Sequence, residues 1–232
     1  MFIPIINFEQ PPVTDGLIRF YDPSIEMSTG SLLEISGRSA AIGSGNGYTI
    51  TSGELSYITF RNNLTNRFTV PAATDLDWTN GTVSAWVYLN GTANINYCMI
   101  NQRSAVGSTT TRFSLHLNPS SNTVGIYNGT NFYTVSTTID NGIWYNITWQ
   151  LSTTVVASAY VNGIFVGSAA AGSSISSAAT NRAFEFGNSD AAFINEALDG
   201  RIGQVWNYSR RLLPQEIYQI YQATRDRYGR FI

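Results

Sequence analysis

The sequence predicts an all-β protein, a two-sheet antiparallel jelly-roll sandwich with one short C-terminal helix. Three observations carry this reading. Short segments alternate apolar and polar side chains with period two along most of the chain, Gly, Asn and Ser punctuate them at close intervals, and helical period occurs once, near the C-terminus. At 232 residues the chain suits one large sandwich. A chain of this length buries roughly 70–75% of its unfolded surface, enough for a core without covalent staples.

In order, the expected strands are Leu17–Tyr21, Tyr57–Phe60, Arg67–Val70 and then Thr82–Leu89, the clearest of the set. There Val83, Ala85, Val87 and Leu89 face one way, with Ser84, Trp86 and Tyr88 opposite. That second face is either covered, by the terminal helix or a long loop, or exposed for stacking on a sugar or a partner. Cys98–Asn101 and Phe113–Leu117 follow, and Val124–Tyr127 pairs with Phe132–Val135 across Asn128-Gly129. Trp144–Leu151 sets Tyr145, Ile147, Trp149 and Leu151 against Asn146, Thr148 and Gln150, which puts Trp149 in the core. Val155–Asn162 and Ile164–Val166 flank Asn162-Gly163, the strongest short hairpin signal a sequence carries. Ala183–Phe186 and Gly200–Tyr208 complete the strands.

The helix spans Leu213 to Thr224, with Leu213, Ile217, Ile220 and Tyr221 as its apolar stripe. Pro214 suits its first turn, and Arg225 and Arg227 suit the negative end of its dipole. Its expected seat is a sheet edge. Ahead of the domain, placed at 16–232, residues 1–15 form an apolar arm through Phe2, Ile3, Ile5, Ile6 and Phe8, interrupted by Pro4 and followed by Pro11-Pro12. Proline keeps it extended. It either adds a strand to a neighbouring sheet or folds back as an edge strand of its own sandwich.

Composition excludes several functions. Charged residues are 12% of the chain, about half the ~25% of ordinary soluble domains, and all thirteen basic residues are arginine. With a net charge of −2 and no basic run beyond Arg210–Arg211, the electrostatic footprint of a nucleic-acid binder is missing. No stretch is long and apolar enough to span a membrane, and the N-terminus lacks the basic segment and cleavage site of a signal peptide. Six Asn-x-Ser/Thr sequons then read as coincidence in an Asn- and Thr-rich chain.

Catalytic constellations are also missing. The single histidine, His116, sits between Leu115 and Leu117 in an alternating strand and reads as solvent-facing. The single cysteine, Cys98, reads as a small buried hydrophobe, and together the two cannot make an ordinary zinc site. The nearest acidic pairs, Asp75/Asp77 and Glu196/Asp199, precede strands, where carboxylates make turns. No glycine-rich phosphate loop opens a helix. The expectation is a protein that is not an enzyme and has no cofactor. One calcium candidate exists: Asn188 and Asp190 in Gly187-Asn188-Ser189-Asp190 either ligate the ion or bond their own backbone in a turn.

Several segments, in order, resemble the laminin G-like, concanavalin A-like lectin/glucanase superfamily. They are Tyr57-Ile58-Thr59-Phe60 leading to Phe68-Thr69-Val70-Pro71; Thr82-Val83-Ser84-Ala85-Trp86-Val87; Gly142-Ile143-Trp144-Tyr145-Asn146-Ile147-Thr148-Trp149; Ala159-Tyr160-Val161-Asn162-Gly163-Ile164-Phe165-Val166-Gly167; and Leu198-Asp199-Gly200-Arg201-Ile202-Gly203-Gln204-Val205-Trp206, running into Leu213-Pro214-Gln215-Glu216-Ile217. Gly16-Leu17-Ile18-Arg19-Phe20-Tyr21-Asp22 and Ala223-Thr224-Arg225-Asp226-Arg227-Tyr228-Gly229 look like the ends of LamG-type structural proteins of tailed, especially marine, phages.

The phage likeness implies a module on the surface of a virion, a head decoration, fibre or tail-associated protein, partnered by other virion proteins or by copies of itself. The wider family implies an alternative, a lectin for surface glycans. Loop residues Trp78, Tyr97 and Phe193, with Asn188 and Asp190, are its expected sugar contacts. Glycosidases of the superfamily carry a Glu-x-Asp-x-Glu strand, which this chain lacks. Phe60-Arg61-Asn62 stands where family members often have Phe-Asp-Gly, so calcium would find no carboxylate there.

Overall fold

The structure, a computed structural model, describes residues 11–28, 31–34, 41–44, 48–51, 55–61, 67–91, 97–103, 111–177, 180–187 and 196–229. The strands are β1 (Leu17–Ser28), β2 (Ser31–Glu34), β3 (Ala41–Ser44), β4 (Tyr48–Thr51), β5 (Tyr57–Phe60), β6 (Arg67–Val70), β7 (Asn80–Leu89) and β8 (Tyr97–Arg103). They continue with β9 (Thr111–Asn118), β10 (Thr123–Tyr127), β11 (Phe132–Ser136), β12 (Trp144–Ser152), β13 (Ser158–Val161), β14 (Ile164–Ser168), β15 (Phe184–Phe186) and β16 (Gly200–Tyr208). A helix, α1 (Pro214–Gly229), follows β16.

Two antiparallel layers of eight and six strands pack as a jelly-roll sandwich. The larger runs β11-β10-β9-β8-β15-β6-β3-β2 and the smaller β1-β16-β7-β12-β13-β14, with the β4–β5 ribbon hydrogen-bonded to β16. Each strand expected from the sequence has its counterpart; β2, β3 and β4 are additional. Asn162 and Gly163 both adopt positive φ, 51° and 76°, the type I′ geometry that matches the twist of flanking strands.

Alternation divides the smaller layer between two cores. Val83, Ala85, Val87, Ile147, Trp149 and Leu151 face the larger layer. Trp86, Trp144, Trp206, Tyr208 and Phe20 face outward, where α1 covers them with Ile217, Ile220 and Tyr228. Each buried ring removes about 150–250 Å² from water, a gross gain of about 4–6 kcal/mol before entropy is subtracted. The helix therefore rests on a sheet face instead of the expected edge, because three indoles on that face need cover. Trp86 takes the covered alternative: its indole N–H donates to Thr224 Oγ1 at 2.9 Å.

The helical stripe differs too. Leu213 is the N-cap residue and lies 62% exposed, its N–H donating to Glu216 Oε2 at 2.7 Å, while Thr224 and Tyr228 extend the buried face. Arg210 clamps the same carboxylate, at 2.8 and 2.5 Å, and holds Glu216 below the usual carboxylate range. Arg227 ties the other end of the helix to Asp22 of β1 through two bonds of 2.7 and 2.9 Å.

Of the expected arm, residues 11–15 pack onto this second core: Val13 is buried, and its carbonyl accepts from Tyr208 Oη at 3.0 Å. Phe2, Ile3, Ile5, Ile6 and Phe8 lie outside the described residues. No helix among the described residues is long and apolar enough to cross a membrane.

Candidate functional site: the polar face of β8–β11

The larger layer has an inner and an outer face. Ile100, Leu115, Leu117, Val124 and Ile126 point into the core. The alternate positions, Cys98, Ser114, His116, Gly125 and Tyr127, form the outer face, with Cys98 and Gly125 both register partners of His116. On the neighbouring strand, Phe132 pairs with Tyr127. Its ring lies across the backbone of Gly125, where an added Cβ would meet the ring at 2.5 Å, and meets the His116 imidazole edge-on at 5.1 Å. Only glycine leaves room for this.

Phe132 is 40% exposed, and Asn131, Thr134 and Ser136 beside it are also exposed. His116 beneath it is buried, and neither ring nitrogen has a hydrogen-bond partner among the described residues. Burial, reinforced by the positive charge of Arg103, pushes its pKa down to about 3. The ring is therefore neutral near neutral pH and holds no proton for acid/base chemistry.

The rest of the face is polar and mutually bonded. Cys98 Sγ lies 3.3 Å from Ser114 Oγ and accepts from Asn101 Nδ2 at 3.8 Å. Burial pushes the thiol up to about 12, which removes it as a nucleophile and confirms the reading of Cys98 as a buried residue. Arg103 pairs with Glu196 at 3.2 Å and sits 5.6 Å from the Tyr127 ring centroid.

Sequence placed the site elsewhere. Trp78 is buried, not a loop platform: it stacks on Phe113 at 5.8 Å, lies under the Arg112 guanidinium at 5.1 Å, and donates to Asn207 Oδ1 at 3.1 Å. Tyr97 is likewise fully buried at the start of β8, its hydroxyl donating to Gly91 O at 2.9 Å. Neither ring is open to a sugar. Asn188, Asp190 and Phe193, the calcium candidates among them, lie outside the described residues. His116 is buried instead of solvent-facing, because the Phe132 ring covers it. The sequence signal for Phe132 was the Asn128-Gly129 hairpin, whose register brings a large ring beside the glycine of the facing strand.

The acidic pairs are structural partners. Asp75 holds Arg19 through two bonds of 2.8 and 2.9 Å, and Asp77 holds Arg112 at 3.1 Å. Asp199 accepts from Asn90 Nδ2 at 3.2 Å. Among the described residues no three metal-ligating side chains gather into a group.

Comparison with known proteins agrees with this architecture. Trypanosoma rangeli sialidase in complex with sialic acid superposes with a TM-score of 0.71 at 14% identity, over 92% of this chain and 34% of the sialidase. The chain thus spans about a third of that enzyme's length. Domain 4 of AbnA, a GH43 extracellular arabinanase from Geobacillus stearothermophilus, in complex with arabinotriose, gives 0.65 at 14% identity, over 89% of this chain and 98% of that domain. The binding domain of Paraclostridial Mosquitocidal Protein 1 gives 0.67 at 18%, over 92% and 53%. At such identities the likeness is one of fold. No curated protein matches the chain. The model of the concanavalin A-like lectin/glucanases superfamily matches residues 61–218, from just after β5 into α1 and more than half of the chain, and the chain belongs to that superfamily.

Proposed function

We propose that the chain is a carbohydrate-binding module without catalytic activity, and that it holds sugar on the outer face of β8–β11. The observation that carries this reading is the half-exposed Phe132 ring lying against the buried, unpartnered imidazole of His116. An aromatic face stacks on the apolar face of a pyranose, and the buried imidazole backs the Phe132 ring from beneath while exposed Asn131, Thr134 and Ser136 beside it offer polar groups to the sugar's hydroxyls. Supporting it, the structural likenesses include a domain bound to arabinotriose and a sialidase bound to sialic acid. Asp75, Asp77 and Glu196 are each held by an arginine, so none supplies a free acid/base pair. A glycan array probed with the whole chain tests the reading, with Phe132→Ala beside it. Signal lost in the variant supports it; an array blank for the wild type overturns it.

A second reading, a virion structural module that assembles with copies of itself, rests on the likeness of the chain ends to phage proteins and on one structural feature. Strand β14 ends its layer, its segment Ile164-Phe165-Val166-Gly167-Ser168 carries no charge, and Ile164 and Phe165 are 58% and 55% exposed. Uncharged, apolar edge strands pair with other strands. Light scattering that gives a defined oligomer, dissociated by Ile164→Lys, supports assembly through this edge. A monomer at every concentration removes it.

A further inference from the structure

The outward core of the smaller layer is not closed at the C-terminal end of α1. There the helix and the β13–β14 turn leave an open cleft of about 310 Å³ with Trp86 and Trp144 as its floor and Tyr221 on one wall. Asn162, Arg225, Asp226 and Gly229 line the rest. The cleft lies on the smaller layer's outward face, away from Phe132 and His116, which belong to the larger layer.

Its polar groups are free to serve a ligand. Trp86 spends its indole N–H on Thr224, but that of Trp144 has no partner among the described residues. Asn162 uses its Oδ1 to accept from the Asn146 backbone N–H at 2.9 Å, and its amide nitrogen donates to no described residue. Arg225 and Asp226 are 50% and 82% exposed at the rim and meet only loosely, at 3.7 Å. The cleft therefore offers aromatic walls, donors from Trp144, Asn162 and Arg225, and one carboxylate acceptor. The two rim charges cancel, which favours a neutral ligand.

From this lining we infer a second, independent sugar site beneath α1, which takes one neutral sugar residue with its apolar face against the partly exposed Tyr221 and its hydroxyls on Asn162, Arg225 and Asp226. The volume stands at the small end of the roughly 300–1,000 Å³ of ligand pockets, room for one ring and not for an extended chain. The choice of sugar as ligand rests on the carbohydrate-binding reading above; the location does not.

Tryptophan fluorescence titration with a panel of neutral methyl glycosides tests it, using the full chain, Phe132→Ala, and the pair Arg225→Ala with Asp226→Ala. Both rim side chains are solvent-exposed, so the pair should melt with the wild type. The expected result is saturable quenching by at least one glycoside, unchanged in Phe132→Ala and weakened tenfold or more in the rim variant. Quenching lost in Phe132→Ala but kept in the rim variant assigns all sugar binding to the β8–β11 face and overturns the second site. Absence of quenching by the whole panel overturns it as well, while glycan-array binding that depends on Phe132 would leave the first reading standing.

Discussion

The indole of Trp86 stacks on the phenol of Tyr228 with ring centroids 4.5 Å apart and planes 21° from parallel. Tyr228 reaches further: its oxygen accepts from the Gln204 N–H at 2.8 Å, where the register of β16 with β7 shifts between Ile202 and Val205. Gly203 lies under the same ring, and a Cβ there would meet the Tyr228 oxygen at 2.4 Å. Gly203→Ala is expected to cost about 1–3 kcal/mol, read as a lower urea midpoint. In a Tyr228→Ala background the same substitution should cost almost nothing more. A full penalty there would place the constraint on Gly203 in its backbone instead.

Asp77 is a structural partner to be told apart from its neighbour Asp75. Arg112 is buried and donates to Asp77 Oδ1 and to the carbonyl of Trp78, while both Asp77 oxygens accept from Asn181 N–H, at 3.0 and 2.9 Å. Desolvation already presses the Arg112 pKa below its ordinary value, and Asp77 opposes that. Asp77→Ala should cost about 3–5 kcal/mol, because it strands a buried guanidinium. Asp75 is more exposed, so Asp75→Ala should cost clearly less. Equal losses by chemical denaturation would contradict this ranking.

Acid should unfold the protein in two stages. His116 titrates near 6.5 when unfolded but only at about 3 when folded, so the unfolded state takes up its proton first. The stability tied to the neutral ring is complete above pH 6.5 and is lost progressively down to about 3. Asp22 adds to the loss only below its ordinary 3.8: burial acts to raise its carboxyl, but Arg227, Ser24 and Gln204 together hold it lower. Between pH 6.5 and 5 the slope of unfolding free energy should approach the one-proton value of about 1.4 kcal/mol per pH unit. His116→Leu should flatten it, and an unchanged slope in that variant would show that another group titrates.

What sequence alone made legible was the alternation. Val83, Ala85 and Val87 against Ser84, Trp86 and Tyr88 announced two faces, and Asn162-Gly163 announced a hairpin. Period two says which side chains share a face but not what covers that face, so α1 was expected at a sheet edge instead of on Trp86, and His116 was read as exposed. Trp78 and Tyr97 were misplaced for a related reason. Position in a loop or at a strand end implies exposure only until the tertiary fold brings Phe113 and Arg112, or the Gly91 carbonyl, against the ring. Strands β2 to β4 escaped because each is only four residues long, too short for an alternating pattern to stand out from the polar and Gly/Ser-containing sequence around it.

Calorimetric titration of the whole chain with the strongest glycan from the array, beside Phe132→Ala, tests the central claim most directly. The account predicts saturable binding weakened about tenfold in the variant, the worth of one stacked ring, with the melting temperature preserved and the glycan recovered intact. Equal affinity in the two proteins, or cleavage of the glycan during the titration, would contradict it.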